Sequence, residues 1–224
     1  MTSEKPRIED DREKIFAAIR RGLRNSEQVV GKRSNASPLM SESPADFDSL
    51  FKKFDTELRK LGGEAVVMDD DEATARFLET KLKTDSSVFI YEDARLGRKT
   101  TEVVKSRTSR VSSEFRNGYD KRDVSGFDSA ISSCVACVAE TGTVVIDNKM
   151  RLPAALATSL FVIADRKQLL ASLDELFTPQ YRDFGGSNLF LITGPSRTAD
   201  IEKELVTGVH GPKEVCVIFS KQYR

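Results

Sequence analysis

The sequence predicts an α/β fold in which a mostly parallel sheet is flanked by helices. Two features support this prediction: short apolar runs of strand length recur along the chain, and segments with helical spacing of apolar residues separate them. A chain of 224 residues also lies within the usual size range for a single core. Because helices join successive strands, most neighbouring strands are expected to run parallel.

The first 46 residues are predicted to form an N-terminal amphipathic helix followed by a flexible linker. The helix is expected over residues 11–24, and the linker over 25–46, a stretch rich in Ser, Pro and Asn without periodicity. The apolar stripe of the helix comprises Ile15, Ala18, Ile19 and Leu23. The sequence leaves open whether that stripe packs on its own domain or on another subunit.

The core domain is predicted to span residues 47–224 and to begin with an aromatic-rich helix that ends at Gly62-Gly63. The apolar stripe of that helix comprises Phe47, Leu50, Phe51, Phe54, Leu58 and Leu61. The next segments form a predicted β-α-β unit, with strands at 64–68 and 87–91 around a helix at 72–83. Strands are then predicted at 143–147, 160–164, 189–193 and 215–219, and a further helix at 166–177.

The charge balance gives no general reason to expect nucleic acid or an acidic membrane surface as a partner. Lys and Arg together number 35, as do Asp and Glu, so the formal net charge is zero. A local basic cluster is interpreted as a solvated helix face: Arg95, Arg98, Lys99, Lys105, Arg107 and Arg110. No apolar run approaches the roughly 18 residues that span a bilayer, so direct membrane insertion is not expected.

Three cysteines are too few for the four thiolates of a common iron-sulfur cluster or an all-cysteine zinc site: Cys134, Cys137 and Cys216. Cys134 and Cys137 form a Cys-x-x-Cys pair that precedes a strand, whereas a thioredoxin-like redox motif opens a helix. We therefore expect no metal site in this chain. The odd number of thiols and the lack of an N-terminal apolar signal core indicate a reducing, cytoplasmic location.

The first candidate site is the segment Gly194-Pro195-Ser196-Arg197-Thr198, which follows a predicted strand. A helix is expected next, with Pro195 in its first turn and Ser196 or Thr198 as its cap. Free backbone N–H groups at such a turn, with Arg197 beside them, would hold a carboxylate or a phosphate. The alternative is a well-capped helix that binds no ligand.

This predicted helix is expected to end at Gly208, shortly before His210, the only histidine of the chain. Gly211-Pro212 then forms a turn that leads into the strand at 215–219. His210 is a candidate catalytic residue, although a lone histidine is more often a surface or hydrogen-bonded residue. Gly208 and Gly211 are counted with the candidate binding residues.

The second candidate site is Glu140-Thr141-Gly142-Thr143, in which a carboxylate precedes a glycine turn and an apolar strand. Glu140 there can serve as a general base or a nucleophile. The alternative is a hairpin whose Glu and Thr side chains bind turn amides. Because loops converge at the carboxyl ends of parallel strands, we expect Glu140, His210 and Arg197 to meet there around a small anionic metabolite or a phosphorylated ligand.

Three segments together resemble the LUD-domain family: Ala-Glu-Thr-Gly-Thr, Gly-Pro-Ser-Arg-Thr-Ala-Asp-Ile-Glu and Gly-Val-His-Gly-Pro. The resemblance implies an α/β domain similar to the NagB, ribose-5-phosphate isomerase and CoA-transferase-like superfamily. It also implies a part in oxidising L-lactate to pyruvate alongside two iron-sulfur partner proteins. The chain would then have no cofactor of its own, and the clusters would belong to the cysteine-rich partners.

Two positions depart from the family pattern, since Val135 stands where an acidic residue is expected and Ser159 where a histidine is. Two functions stay open. One is a soluble subunit of a lactate-oxidising assembly, which supplies binding or docking. The other is a stand-alone enzyme of CoA-transferase or sugar-phosphate-isomerase type, with Glu140 as base or nucleophile and Arg197 holding the anion. The missing acid and histidine favour the subunit.

Overall fold

The computed structural model describes residues 14–21, 46–91, 96–112, 127–147, 151–178, 188–201, 204–207 and 211–220. The chain divides into two compact units, Met1–Met40 and Ser41–Arg224. In the first unit, residues 14–21 form helix α1, within the range predicted for the amphipathic helix. Ile15, Phe16 and Ile19 are exposed on it. The predicted linker lies outside the described residues except for its last position.

The second unit begins with helix α2 at Phe47–Lys60, where the carboxylate of Asp46 accepts the Ser49 N–H at 3.0 Å and caps the helix. The later helices are α3 (Asp71–Lys81), α4 (Arg98–Arg107), α5 (Arg151–Leu156) and α6 (Leu173–Leu176). The strands are β1 (Glu64–Met68), β2 (Ser86–Ile90), β3 (Thr108–Ser112), β4 (Ser129–Ser133), β5 (Ala136–Val138), β6 (Thr143–Asp147), β7 (Ser159–Asp165), β8 (Leu169–Leu170), β9 (Leu189–Ile192), β10 (Arg197–Ile201), β11 (Glu204–Thr207) and β12 (Glu214–Ser220).

Six of these strands form a fully parallel sheet in the order β1-β12-β7-β4-β2-β3. The prediction of a mostly parallel sheet flanked by helices is therefore confirmed. The apolar runs of the sequence predict β1, β2, β7 and β12. They miss β4, whose sequence Ser-Ala-Ile-Ser-Ser is rich in serine although its first four residues are buried.

A second, four-stranded sheet with the order β8-β5-β6-β9 is the main departure from the predicted architecture. β6 runs antiparallel to both β5 and β9, while β5 and β8 are parallel. The predicted strands at 143–147 and 189–193 lie in this sheet, and not in the parallel one. The cause is local, because the short turn between Val138 and Thr143 permits only an antiparallel return.

The parallel sheet separates two apolar cores. One face packs against α2, α5 and the four-stranded sheet, with Phe54, Val144 and Phe219 among the fully buried residues. The other face packs against α3 and α4 through Leu78 and Val104. Among the helices that the structure describes, none has the length and apolar character needed to cross a bilayer.

Two predicted helices are wrong. Residues 166–177 form one 3-10 turn (Arg166–Gln168), then β8 and α6. The Asp165 carboxylate and the Gln168 side chain bind backbone groups of that turn reciprocally, which caps its start, and the turn ends where β8 begins at Leu169. Residues 197–207 form the antiparallel hairpin of β10 and β11. The Ser196 N–H donates to the Pro212 carbonyl at 2.8 Å, so Ser196 does not begin a helix.

Asp71 of α3 caps the neighbouring helix α4. Gly97 precedes α4 and has no side chain that could do so. The Asp71 carboxylate accepts the N–H of Lys99 at 2.8 Å, the N–H of Thr100 at 3.2 Å and the Thr100 hydroxyl at 2.6 Å.

Three members of the predicted basic face form ion pairs along α3 and α4: Arg98 with Glu102, Lys99 with Glu72 and Arg107 with Glu79.

We expect Asp71→Ala to lower the free energy of unfolding by about 1 to 3 kcal/mol, because two backbone N–H groups of α4 lose their acceptor and the Thr100 hydroxyl keeps only the Asp71 carbonyl, at 3.2 Å. Asp71→Asn should lose less, since its amide oxygen still accepts. Urea unfolding of the full chain measures both variants. Glu102→Ala is the control, because it removes only an exposed ion pair and should change stability by no more than about 0.5 kcal/mol. Equal losses in Asp71→Ala and Glu102→Ala would contradict the cap.

Candidate functional site

A chain of threonine hydroxyls joins the two motif segments singled out from the sequence. The Thr141 hydroxyl donates to the Thr143 hydroxyl at 2.7 Å, and the hydroxyls of Thr143 and Thr193 are hydrogen-bonded at 2.9 Å. Thr143 begins β6, and Thr193 follows the end of the adjacent antiparallel strand β9. The Glu-Thr-Gly-Thr turn and the Gly-Pro-Ser-Arg segment are therefore neighbours, as the sequence suggests.

Both segments pack against the carboxyl-terminal turn of α2. Gly142 has φ +64°, and a Cβ there would lie 2.5 Å from the backbone nitrogen of Leu58. Gly194 has φ +88°, and its Cβ would lie 2.8 Å from that of Leu61. These glycines thus allow two turns to approach one helix closely, and their backbone faces the helix.

Arg197 completes this contact by capping α2. Its Nη2 donates to the Leu61 carbonyl at 2.6 Å, where the helix leaves carbonyl groups without intrahelical partners. A cation at this end also interacts favourably with the helix dipole. The third segment joins here as well, because Gly211 lies against Ser196, whose Cβ would be 2.7 Å from a Cβ at Gly211. We call this arrangement of residues 140–143, 193–197 and 211–212 on α2 the motif cluster.

We expect Arg197→Met to lower the free energy of unfolding by about 1 kcal/mol, because the α2 carbonyl loses a charge-assisted donor. Arg197→Lys should retain part of that stability. Thermal unfolding of the full chain gives the comparison. If Arg197 serves only as an anion ligand, stability in ligand-free buffer will be unchanged in Arg197→Met, and that result would contradict the capping role.

Glu140 lies at the outer side of the motif cluster, at the tip of the β5–β6 hairpin. It is exposed, its Oε1 accepts the Leu173 N–H at 2.6 Å, and its own N–H donates to the Ala171 carbonyl at 3.2 Å. The carboxylate thus binds the first N–H of α6. His210 and Gly208 lie outside the described residues, as does the Thr198 side chain. The approach of Glu140 to His210, and hence the catalytic pair, stays a prediction.

The motif cluster lies near the amino ends of β1 and β12, whereas the sequence predicts a site at the carboxyl ends of the parallel strands. α2 ends where Gly62-Gly63 leads into β1, and a Cβ at Gly63 would lie 3.1 Å from the Val215 carbonyl oxygen. The expectation is wrong because β9, which carries Thr193 at its end, belongs to the four-stranded sheet and not to the parallel one.

A cleft of about 290 Å³ opens at this amino edge, lined by Arg59, Lys81, Glu64, Glu214 and Cys216 among others. Its charges have partners within the chain: Arg59 pairs with Asp55, Lys81 with Glu64, and the Glu214 carboxylate accepts the Ser159 hydroxyl at 2.9 Å. Burial, and then the charge of Glu64, raise the pKa of the Cys216 thiol. That thiol is a poor nucleophile at neutral pH.

The carboxyl edge of the parallel sheet holds a second group of polar residues, of which the sequence indicates only the Cys134 and Cys137 pair. Gln168 links two strand ends there: its amide donates to the Cys134 carbonyl at 2.6 Å, and its Oε1 accepts the Asp165 N–H at 2.7 Å. The sulfurs of Cys134 and Cys137 are 3.8 Å apart, and burial raises the pKa of the Cys137 thiol well above its usual range. Val135, which stands where the family pattern has an acidic residue, packs against an apolar cluster of the four-stranded sheet.

Arg166 is a half-buried cation at this carboxyl edge. Its guanidinium carbon lies 4.4 Å from the ring centroid of Phe47, the first residue of α2. Its Nε is buried and has no hydrogen-bond partner among the groups that the structure describes. The sequence places Arg166 at the start of a predicted helix, so nothing in the local pattern separates it from an ordinary surface arginine. We call Arg166, Gln168, Cys134 and Cys137 the carboxyl-edge cluster.

The described residues include no group of three His, Cys, Asp or Glu side chains that could hold a metal ion. The motif cluster therefore offers hydrogen bonds and packing, and the carboxyl-edge cluster offers a half-buried guanidinium beside an aromatic ring. The guanidinium suits the binding of an anion, because arginine presents paired donors to a carboxylate or a phosphate.

Comparisons with known proteins relate this chain to one family. The LUD domain matches residues 51–220. The chain is 34% identical over 89 residues to lactate utilization protein C of Halalkalibacterium halodurans, which covers 36% of this chain and 39% of that protein. It is 28% identical over 96 residues to an uncharacterized protein of Neisseria meningitidis serogroup B, covering 41% of each. The alignments thus span about two fifths of the length of these curated relatives.

A solved structure shares the fold. A DUF162 family protein from Deinococcus radiodurans superposes with a TM-score of 0.58 at 14% sequence identity, covering 79% of this chain and 99% of that one. At this identity the likeness concerns the arrangement of helices and strands, and the chemistry of the site has to be argued from the residues themselves.

Proposed function

Because this chain belongs to the LUD-domain family, we propose that it acts in lactate utilization, as a non-redox subunit of an assembly that oxidises L-lactate to pyruvate. The observation that carries the proposal is its similarity to a lactate utilization protein C over 89 residues. In this role the chain binds or docks, and cysteine-rich iron-sulfur partner proteins accept the two electrons that lactate loses.

The cysteines support this division of labour. All three are buried, and the carboxyl-edge pair of Cys134 and Cys137 is held within the core beside Gln168. Cys216 is tied to a different place, at the amino edge of β12. A common iron-sulfur cluster needs four thiolates around one centre. Electron transfer through clusters is therefore assigned to partners.

The alternative, a stand-alone enzyme with Glu140 as base or nucleophile, has less support. The Glu140 carboxylate is exposed and is occupied by the N–H of Leu173. Arg197, which would hold the anion, donates to the Leu61 carbonyl. A reaction that used these two side chains would have to break both of these hydrogen bonds.

Affinity co-purification of the native chain, followed by lactate-dependent dye reduction, tests the proposal. The intact assembly should contain iron and reduce the dye, whereas the isolated chain should do neither. The control is the same assembly prepared without this chain, which should lose activity that added purified chain restores. If the chain purifies alone and adding it to the partners changes nothing, the lactate role is wrong, and binding of CoA esters and sugar phosphates becomes the next measurement.

A further inference from the structure

Among the described residues of the carboxyl edge, the guanidinium of Arg166 is a polar group that internal contacts leave incomplete. Buried polar atoms are paired in the great majority of cases, and an exception calls for a bound water, an ion or a ligand. The Nε of Arg166 is buried without a hydrogen-bond partner in the described chain. Desolvating such a donor is costly when nothing accepts its hydrogen. An acceptor supplied from outside the chain would remove this cost.

The position of the guanidinium is fixed by the surrounding structure. The 3-10 turn that carries Arg166 is closed by Asp165 and Gln168, and Gln168 also binds the end of β4 through the Cys134 carbonyl. The ring of Phe47 lies under the guanidinium at 4.4 Å, and Phe47 packs in turn on Phe219 at 5.6 Å between ring centroids. A side chain held in this way loses little further freedom when it binds a ligand.

The topology places Arg166 where parallel sheets bind ligands. It follows the carboxyl end of β7, next to β4. The connection after β2 leads to α4 on one face of the sheet, and that after β4 leads to the four-stranded sheet on the other. These connections diverge between β2 and β4, one strand away from β7, and ligands of open parallel sheets bind outside the carboxyl ends of the strands near such a point.

From these observations we propose that Arg166 binds the carboxylate of a small 2-hydroxy or 2-oxo acid at the carboxyl ends of β7 and β4. The guanidinium would donate its Nε–H and a second N–H to the two carboxylate oxygens, as arginine does in bidentate pairs. Since the Nε is buried in the ligand-free chain, this pairing requires the groups that cover it to move aside. That the ligand is an anion follows from the guanidinium itself. The choice of a lactate-like acid rests on the proposed function.

The Asp165 carboxylate, which is the nearest acid in sequence, does not fill this place. Its Oδ1 accepts the Lys167 N–H at 2.8 Å within the turn. The ion pairs that the described residues form elsewhere involve α2, α3 and α4, and none includes Arg166. The guanidinium therefore brings its positive charge to the carboxyl edge without a described salt bridge.

Isothermal titration calorimetry of the full chain tests the proposal with three probes: L-lactate, lactamide and inorganic phosphate. Lactamide keeps the shape of lactate and removes its charge. Lactate should bind with saturation and lactamide should not. Phosphate that binds more tightly than lactate would overturn the assignment to a carboxylate. Failure of lactate and phosphate to bind at all would overturn the site.

Three variants locate the binding. Arg166→Met keeps the length that packs on Phe47 but removes the charge, and it should weaken lactate binding by about tenfold or more. Arg166→Lys should be intermediate, since it keeps the charge and loses the paired donors. Lys167→Met, an exposed neighbour on the same turn, is the control and should bind as the wild type does. Unfolding curves establish that each variant is folded, and wild-type affinity in a folded Arg166→Met would overturn the proposal.

The two proposals fail in different ways. If the assembly oxidises lactate with an unchanged KM when it contains Arg166→Met, the lactate role stands and the Arg166 site is wrong. If the chain binds lactate through Arg166 but has no effect on lactate oxidation by the partners, the site stands and the proposed function is wrong.

Discussion

Gly142→Ala is expected to destabilise the chain by about 2 to 5 kcal/mol. An alanine at φ +64° has a left-handed conformation that costs an L-residue about 1 to 2 kcal/mol. Its Cβ would also lie 2.5 Å from the backbone nitrogen of Leu58, and helix backbone yields less readily than a side chain. The β5–β6 turn and α2 must therefore separate, which disrupts the motif cluster. Urea unfolding of the full chain measures the loss.

Gly62→Ala is the matched control for this prediction. Gly62 also has a positive φ, of +88°, but the atom closest to a Cβ there is Nη2 of Arg197, the far end of a flexible side chain. We expect a loss of about 1 to 2 kcal/mol from the backbone conformation, and up to about 1 kcal/mol more where the displaced Arg197 gives up its hydrogen bond to the Leu61 carbonyl. If both alanine variants lose the same stability, the close packing of Gly142 on α2 is not what constrains that position.

Phe219→Ala is expected to cost about 3 to 5 kcal/mol, the range for a large aromatic truncated in a core. Phe219 is fully buried in β12, and its ring makes edge contacts with those of Phe47, Phe51 and Phe54 at 5.6, 5.8 and 5.6 Å between centroids. Removing it leaves a cavity between α2 and the parallel sheet. The thermal midpoint and the urea midpoint should both fall.

Phe177→Ala separates this effect from the loss of any phenylalanine. Phe177 follows α6 and is 62% exposed, so its truncation should change stability by no more than about 0.5 kcal/mol. Phe219→Leu should recover part of the stability lost in Phe219→Ala, because it fills most of the cavity. A loss in Phe177→Ala as large as that in Phe219→Ala would contradict the assignment of Phe219 to the centre of the core.

The sequence predicts the parallel sheet well where apolar runs are long. β7 and β12 lie inside the sheet, and their continuous apolar runs are those of strands covered on both faces. β4 also lies inside the sheet, but its sequence is Ser-Ala-Ile-Ser-Ser, and Ser132 is fully buried. Its burial depends on neighbours that are distant in sequence, and so no local pattern reveals it.

The hairpin of β10 and β11 shows where local signals compete. Pro195, Ser196 and Thr198 are typical of a helix start, yet Ser196 donates its N–H to Pro212 and the chain continues extended. The β-branched residues Ile201 and Val206 suit a strand as well as a helix stripe. Long-range pairing decides between the two, and the spacing of apolar residues does not record it.

The candidate sites follow the same rule. The Glu140 turn and the Gly194 segment, which the motifs single out, are neighbours through the hydroxyls of Thr143 and Thr193, and their meeting with His210 stays a prediction. The motifs do not indicate that α2 lies against both turns, because that contact depends on the backbone of Leu58 and Leu61. Arg166 is missed altogether, since its importance comes from Phe47, more than a hundred positions earlier in the chain.

The place of β12 in the sheet affects the order in which a nascent chain can fold. β12 lies between β1 and β7, and Glu64 of β1 is paired with Cys216, about 150 positions later. At about 5 to 20 residues per second, β1 waits roughly 8 to 30 seconds on the ribosome for its neighbour. Until β12 emerges, β1 and, once it has been made, β7 lack this neighbour, and their unpaired edges can pair with other chains. Chaperone demand during synthesis should therefore fall once β12 has emerged.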